Sequence, residues 1–151
     1  MIALSAEPIE LAPLLAAVAD PEHGGTATFT GTTRREGGDR AVAALHYEAY
    51  EELALAEMRA IVREAQEAFG ATVALLHRTG RVDVGEPSVM VAASAGHRPA
   101  AFAACRYAID ELKARVPVWK QTVFADGDTS WVDGCAAGHR GGHPAGHAHP
   151  A

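Results

Sequence analysis

PAAFAACRYAIDELKARVPVWKQTVF, residues 99 to 124, holds the turning point of the chain. Phe102, Cys105, Ile109, Leu112 and Val116 recur at three- and four-residue steps, the repeat of one helix face, and Pro99 suits the first turn of that helix. Pro117 ends it, because the residue before a proline is pushed out of helical geometry. Beyond it the apolar residues alternate, break at ADGD and resume in TSWVDG, the pattern of a closing hairpin. The reversal can fold Lys113, in the last helical turn, back toward Lys120 on the strand. Trp119 points opposite to Lys120 and is expected to anchor that strand in apolar surroundings.

Working outward, residues 51 to 69 place Leu55, Met58, Val62, Ala65 and Phe69 on one stripe, with Gly70 set to end the helix. A shorter helix is expected over residues 8 to 19, opened by Pro8 and carrying Leu11, Leu14, Leu15 and Val18. Between these lie GTATFTGTTR (25 to 34) and RAVAALHYEAY (40 to 50), read as two strands joined by the turn-forming REGGD. TVALLHRTGRV (72 to 82) and SVMVAAS (88 to 94) are two further strands, separated by DVGEP. Strands mixed with helices in this order give an α+β class with two main amphipathic helices.

A chain of 151 residues, 48% of them hydrophobic, is the size of one domain with its own core. That domain is expected over residues 1 to 134; residues 135 to 151 lose their aliphatic side chains to Gly, Ala, Pro and His and read as a disordered tail. A net charge of −6 argues against a nucleic-acid surface, which needs many cations against phosphates. The N-terminus has no basic region of a targeting peptide, and no apolar run is long enough to span a bilayer, so a cytoplasmic protein is expected. Cys105 and Cys135 form neither a CxxC pair nor a disulfide framework.

Any anion site in so acidic a chain has to be local. His97 and Arg98 sit where a strand gives way to a helix, so their side chains and the free N–H groups of the first turn can face one anion, although an ordinary solvated loop has the same pattern. Arg34 and Arg35 enter a glycine-containing loop whose backbone can approach a ligand, or are simply charges at a strand end. Lys113 and Lys120 are either a converging pair or a helix-end charge and an edge-strand charge. Two ammonium groups held together disfavour each other's charge, one route to a nucleophilic lysine. His77, inside an apolar run, reads as a core histidine, and His46 likewise. The histidines of the tail lack a folded frame to fix ligand geometry, so no metal site is expected there.

Several stretches together resemble one known family, the large catalytic subunit of molybdopterin synthase (MoaE type). They are FTGTTR (29 to 34), LHYEAYEELALAEM (45 to 58), HRTGRVDVGEPSVMVAASAGHRPAAFAACRYAIDELKARVPVWK (77 to 120) and the later Trp131. The resemblance implies an α/β hammerhead-type fold with antiparallel sheets, a homodimer within a heterotetramer, and a small ubiquitin-like sulfur carrier as partner. It implies sulfur transfer from the carrier's thiocarboxylated Gly-Gly C-terminus to cyclic pyranopterin monophosphate, making the molybdopterin dithiolene without metal or other cofactor. Carried over by position, Lys113 and Lys120 would be catalytic, Lys113 engaging the acyl group and Lys120 stabilising charge on the substrate. Thr32, Thr33, Arg34, His97, Arg98, Gln121 and Thr122 would join them in binding substrate.

The chain departs from the family pattern at Thr122, where an acidic residue is usual, and at Cys135, where a basic one is common; Arg140 stands near the latter. The expectation is that sulfur transfer is kept, with Thr122 or a water in the carboxylate's place. Two other readings stay open. One is a non-catalytic homologue that binds the carrier alone; the other is a small phosphatase-like enzyme clamping phosphate between Arg34 and Arg98, which leaves the lysines unexplained.

Overall fold

The computed structural model describes residues 1–132. Its elements run β1 (Ile2–Ser5), α1 (Leu11–Val18), β2 (Gly25–Thr32), β3 (Glu36–Gly37), β4 (Arg40–Ala49), α2 (Glu51–Phe69), β5 (Thr72–Arg78), β6 (Gly80–Asp83), β7 (Pro87–Ala95), α3 (Arg98–Arg115), β8 (Val118–Phe124) and β9 (Thr129–Val132). The α+β class follows, and the helix over Pro99 to Val116, the stop at Pro117 and the β8–β9 hairpin stand as read. The tail over residues 135 to 151, with Cys135 and Arg140, lies outside the described residues.

Four strands form one sheet in the order β1-β5-β7-β2. Its central strands, β5 and β7, are buried along nearly their whole length, because helices cover both faces. On one side Val73, Leu75, Val89, Val91 and Ala93 pack with Ala54, Met58, Ile61 and Ala65 of α2 and Ala104, Ala108 and Leu112 of α3. On the other, Ala74, Leu76, Met90 and Ala92 meet Leu14 and Val18 of α1. The two-residue alternation of side chains within each strand thus divides one apolar run between two cores.

The second sheet has five strands, with order β3-β4-β8-β9 and β6 paired to β4. β4 is its spine: Ala44 to Tyr47 pair with β6 on one side and β8 on the other. A clasp closes its far end, where Arg40 lies 3.9 Å from the centre of the Phe124 ring and its guanidinium binds Asp128 at 2.9 Å as well as Asp126.

Four expectations from the sequence are corrected. The strands over 25 to 34 and 40 to 50 do not pair: β2 joins β7 in the first sheet and β4 lies in the second, while REGGD contributes the short β3 that folds onto β4. The run over 72 to 82 is two strands in different sheets, because Gly80 at φ 72° takes a left-handed turn that only glycine adopts readily. The first helix starts at Leu11, leaving Pro8 outside it. The antiparallel sheets contain one parallel pair, β1 on β5, from an N-terminal strand too short to show as a pattern.

α2 and α3 are fastened by one guanidinium. Arg115 reaches Glu57 at 3.0 Å, Glu64 at 2.6 Å and Glu111 at 3.2 Å, and Tyr107 donates to the same Glu64 carboxylate at 2.6 Å. These bonds hold the Glu64 carboxyl down at about 2, Arg115 being the largest cause. A carboxylate lowered in the folded state stabilises above its unfolded value and loses that contribution as pH falls toward the folded one. Urea titrations across that acid range should therefore show a shallower loss for Glu64→Gln than for the parent chain. Met58, fully buried in the larger core, should cost about 2–5 kcal/mol when cut to alanine, read as a lower urea midpoint with an unchanged slope.

Candidate functional site

A cavity of about 340 Å³ opens between the two sheets at the C-terminal end of α3. Gly31, Thr32 and Arg34 line it from the end of β2, Leu45 and Tyr47 from β4, Leu112, Lys113 and Val116 from α3, and Val118, Lys120 and Thr122 from β8. The reversal at Pro117 thus carries both lysines to one cavity. Lys113 Nζ stands 5.9 Å from the centre of the Phe29 ring, a cation over an aromatic face. Lys120 sits between Tyr47 and Val132 in the sheet register. Arg34 is exposed, so three cations from three elements surround a space whose inner wall is aliphatic.

Side-chain alternation decides which neighbours take part. On β8, Val118, Lys120 and Thr122 face the cavity, while Trp119 and Gln121 do not line it. Trp119 is 45% exposed, so the expected apolar anchor is absent: the outer face of β8 is open among the described residues. Thr33, between Thr32 and Arg34, is 2% exposed and held in the turn before β7, its N–H donating to Glu86 O at 3.0 Å and its carbonyl accepting from Gly85 N at 2.8 Å. Its hydroxyl finds no partner among the described residues. Arg115 serves the α2–α3 clasp and is not part of this wall.

His97 and Arg98 lie elsewhere. His97 caps the N-terminus of α3 without a side-chain hydrogen bond to the helix, and with Arg98, Gly24, Gly96 and Pro99 it lines a separate shallow depression. The chain is tight there: a methyl group on Gly25 would meet Arg98 Cα at 3.1 Å. Fifteen helical steps separate Arg98 from Lys113, about 22 Å along the axis. One copy of the chain therefore gathers Thr32, Arg34, Lys113, Lys120 and Thr122 at one site and holds His97 and Arg98 at the opposite end of α3.

His77 lines the cavity as well, although its apolar neighbours in the sequence point to the core alone. It is 6% exposed, and its ring meets Tyr47 edge-on with centroids 5.0 Å apart. Nδ1 lies 2.7 Å from the carbonyl of Arg78, which can only accept, so Nδ1 carries the hydrogen and Nε2 the lone pair. Burial, followed by the positive charge of Lys113, lowers its affinity for a proton. One signal could have found it: Val73, Leu75 and His77 alternate onto the face that meets α3.

The family described as MoaE protein matches residues 4–115. A molybdopterin synthase catalytic subunit from Oryza sativa is 48% identical over 121 residues, 80% of this chain and 63% of the relative, so this chain spans under two thirds of that protein. One from Pyrococcus abyssi is 42% identical over 129 residues, covering 85% of this chain and 86% of the relative. The crystal structure of molybdopterin synthase from Staphylococcus aureus superposes with a TM-score of 0.82 at 29% identity, covering 85% of this chain and 94% of that one.

A histidine kept neutral by burial costs stability in acid. Below its ordinary value of about 6.5 the unfolded chain takes a proton that folded His77 refuses, so stability falls with pH until the lowered folded value is reached. Thermal melts stepped down from about pH 7.5 should show a smaller drop for His77→Asn, relative to its own neutral value, than for the parent chain.

Proposed function

The chain belongs to the MoaE family, and from that membership and the charge pattern of its cavity we propose that it is the catalytic subunit of a molybdopterin synthase. As a sulfurtransferase it moves sulfur from the thiocarboxylated Gly-Gly C-terminus of a small ubiquitin-like carrier to cyclic pyranopterin monophosphate. The observation that carries this reading is the meeting of Arg34, Lys113 and Lys120 in one cavity of a protein whose net charge is −6. Both reactants are anions, and cations at a partly dehydrated wall act on them more strongly than in water.

The cavity divides the work. Arg34, exposed at the mouth, suits the cyclic phosphate through charge-assisted hydrogen bonds, with the Thr32 hydroxyl beside it. Lys113 is placed for the carrier's acyl carbon, its ammonium polarising the carbonyl or engaging it transiently. Lys120 and Thr122, adjacent on the same face of β8, face charge that develops on the pterin as sulfur adds. A tail ending in two glycines brings no side chains, which favours entry into a narrow space. Thr33 and Gln121 would act through their backbone and neighbours, since neither lines the cavity.

His97 and Arg98 join the substrate site in this reading only if a second copy of the chain brings its α3 N-terminus to the cavity. A homodimer within a heterotetramer would do this, and it would explain why an exposed His-Arg pair stands at a tight helix start without a partner-side task in its own copy. Neither a metal nor a further cofactor is required, and the reaction belongs in the cytoplasm. A phosphatase clamp between Arg34 and Arg98 would leave Lys113 and Lys120, on the same cavity wall, without a task.

Incubation with thiocarboxylated carrier and cyclic pyranopterin monophosphate should yield molybdopterin. Lys113→Ala and Lys120→Ala should each lower turnover by about 10²–10³-fold, as expected for lost transition-state charge stabilisation. Arg34→Ala should act mainly on the KM for the pterin. No product from the parent chain, or full turnover by Lys113→Ala, would sink the assignment.

A further inference from the structure

Sulfur transfer from a thiocarboxylate leaves a problem at the acyl carbon. Once the sulfur has bonded to the acceptor, the carrier's terminal carbonyl is still attached to it as a thioester, and the carrier leaves as a carboxylate only at the cost of one water. Attack by that water forms a C–O bond and breaks the C–S bond. The electron pair departs on sulfur as a thiolate, and a proton from the water must be taken up where the acyl group lies.

Resting on the functional reading above, we propose that His77 is the general base of this hydrolytic step. Nε2 takes the proton from the attacking water, while Nδ1–H stays on the carbonyl of Arg78 at 2.7 Å and the Tyr47 ring, 5.0 Å away, fixes the imidazole plane. The carbon product is a carboxylic acid that ionises to solvent, and the imidazolium returns its proton to solvent or to the new thiolate. Atoms and electrons then balance with water as the only co-reactant.

The surroundings favour His77 over its neighbours. The charged and titratable groups around it are Lys113 from α3, Lys120 from β8, Arg34 after β2, Glu36 on β3 and Tyr47 on β4. Protonated lysines and a guanidinium have no lone pair to offer. Glu36 is the one carboxylate on the cavity wall among the described residues, but it is exposed on a two-residue strand. His77 is buried beside aliphatic Val89 and Leu112, within electrostatic reach of the lysine assigned to the acyl group. Burial also keeps the ring in its basic form near neutral pH, and the charge of Lys113 speeds loss of the proton afterwards. Thr122, which stands where a carboxylate is usual, then needs no proton-accepting role.

Single-turnover reactions with the full chain, thiocarboxylated carrier and cyclic pyranopterin monophosphate, quenched and weighed by mass spectrometry, test this. His77→Asn keeps an amide N–H near the position of Nδ1 for the Arg78 carbonyl and removes the base. It should bind carrier as the parent does, accumulate a carrier–pterin thioester and release product about 10²-fold more slowly. In the parent chain, kcat should fall on the acid side with an inflection below about pH 6.5, and His77→Asn should lose that limb. Product formation by His77→Asn at the parental rate overturns the proposal, as does slow product formation without any carrier-linked adduct. If His77→Asn does not fold, the parent chain decides: hydrolysis of its carrier–pterin thioester at the same rate in H2O and D2O, with no proton in flight, overturns the proposal. Absence of product from the parent chain instead removes the sulfurtransferase reading itself.

Discussion

The backbone N–H of Tyr50, at the start of α2, donates to the carbonyl of Pro117 at 3.2 Å. Through that bond the exit of β4, the entrance of α2 and the reversal between α3 and β8 meet at one point. Pro117 cannot donate in return and forbids helical geometry at Val116, so the chain has to leave α3 there, and Val118 N closes the turn on Val116 O at 2.8 Å. Both lysines of the cavity are measured from this corner: Lys113 is one turn before it and Lys120 three residues after it. A longer helix or a looser turn would swing the lysines onto different surfaces.

The corner works because the two sheets on either side of it are differently built. The four-stranded sheet is dry on both faces along its central strands, β5 and β7, and supplies a rigid wall, with β5 carrying His77 to the edge where the helices stop covering it. The five-stranded sheet is more open: β8 alternates between cavity and solvent, and β9 is exposed along its length. A cavity at their seam has one aliphatic side, which strengthens electrostatic interactions and shields an imidazole from protonation, and one polar side that admits anions. The same division lets an acidic protein present a cationic interior.

Much of this could be read from the residues alone, for reasons tied to particular positions. The stripe from Leu55 to Phe69, the stop at Pro117 and the alternation through β8 are local signals, and local signals survive folding. Which strands pair is not local. β2 and β4 look like a hairpin because a turn sequence joins them, yet β2 pairs along its length with the buried strand β7 instead. Gly80 in TVALLHRTGRV likewise looked like a minor interruption, though its left-handed turn moves the chain from one sheet to the other. At the site, spacing left the lysines and Arg34 open and the family resemblance singled them out, but the length of α3 separates His97 and Arg98 from them, and His77 was hidden by its apolar neighbours.

The parallel pairing of β1 with β5 joins residues 2 to 5 to residues 75 to 78. During synthesis the first strand leaves the ribosome with no edge to pair with until α1, β2, β4, α2 and β5 have all followed it. The loop closed by that pairing is long, and its entropy has to be met by contacts already made. Assembly should therefore begin with α2 against the antiparallel β5–β7 pair, and β1 should add last to a finished edge. Of the described elements β1 is then made earliest and secured last, which sets the amide protons of Ile2 to Ser5 among the earliest to exchange when the sheet opens from that side.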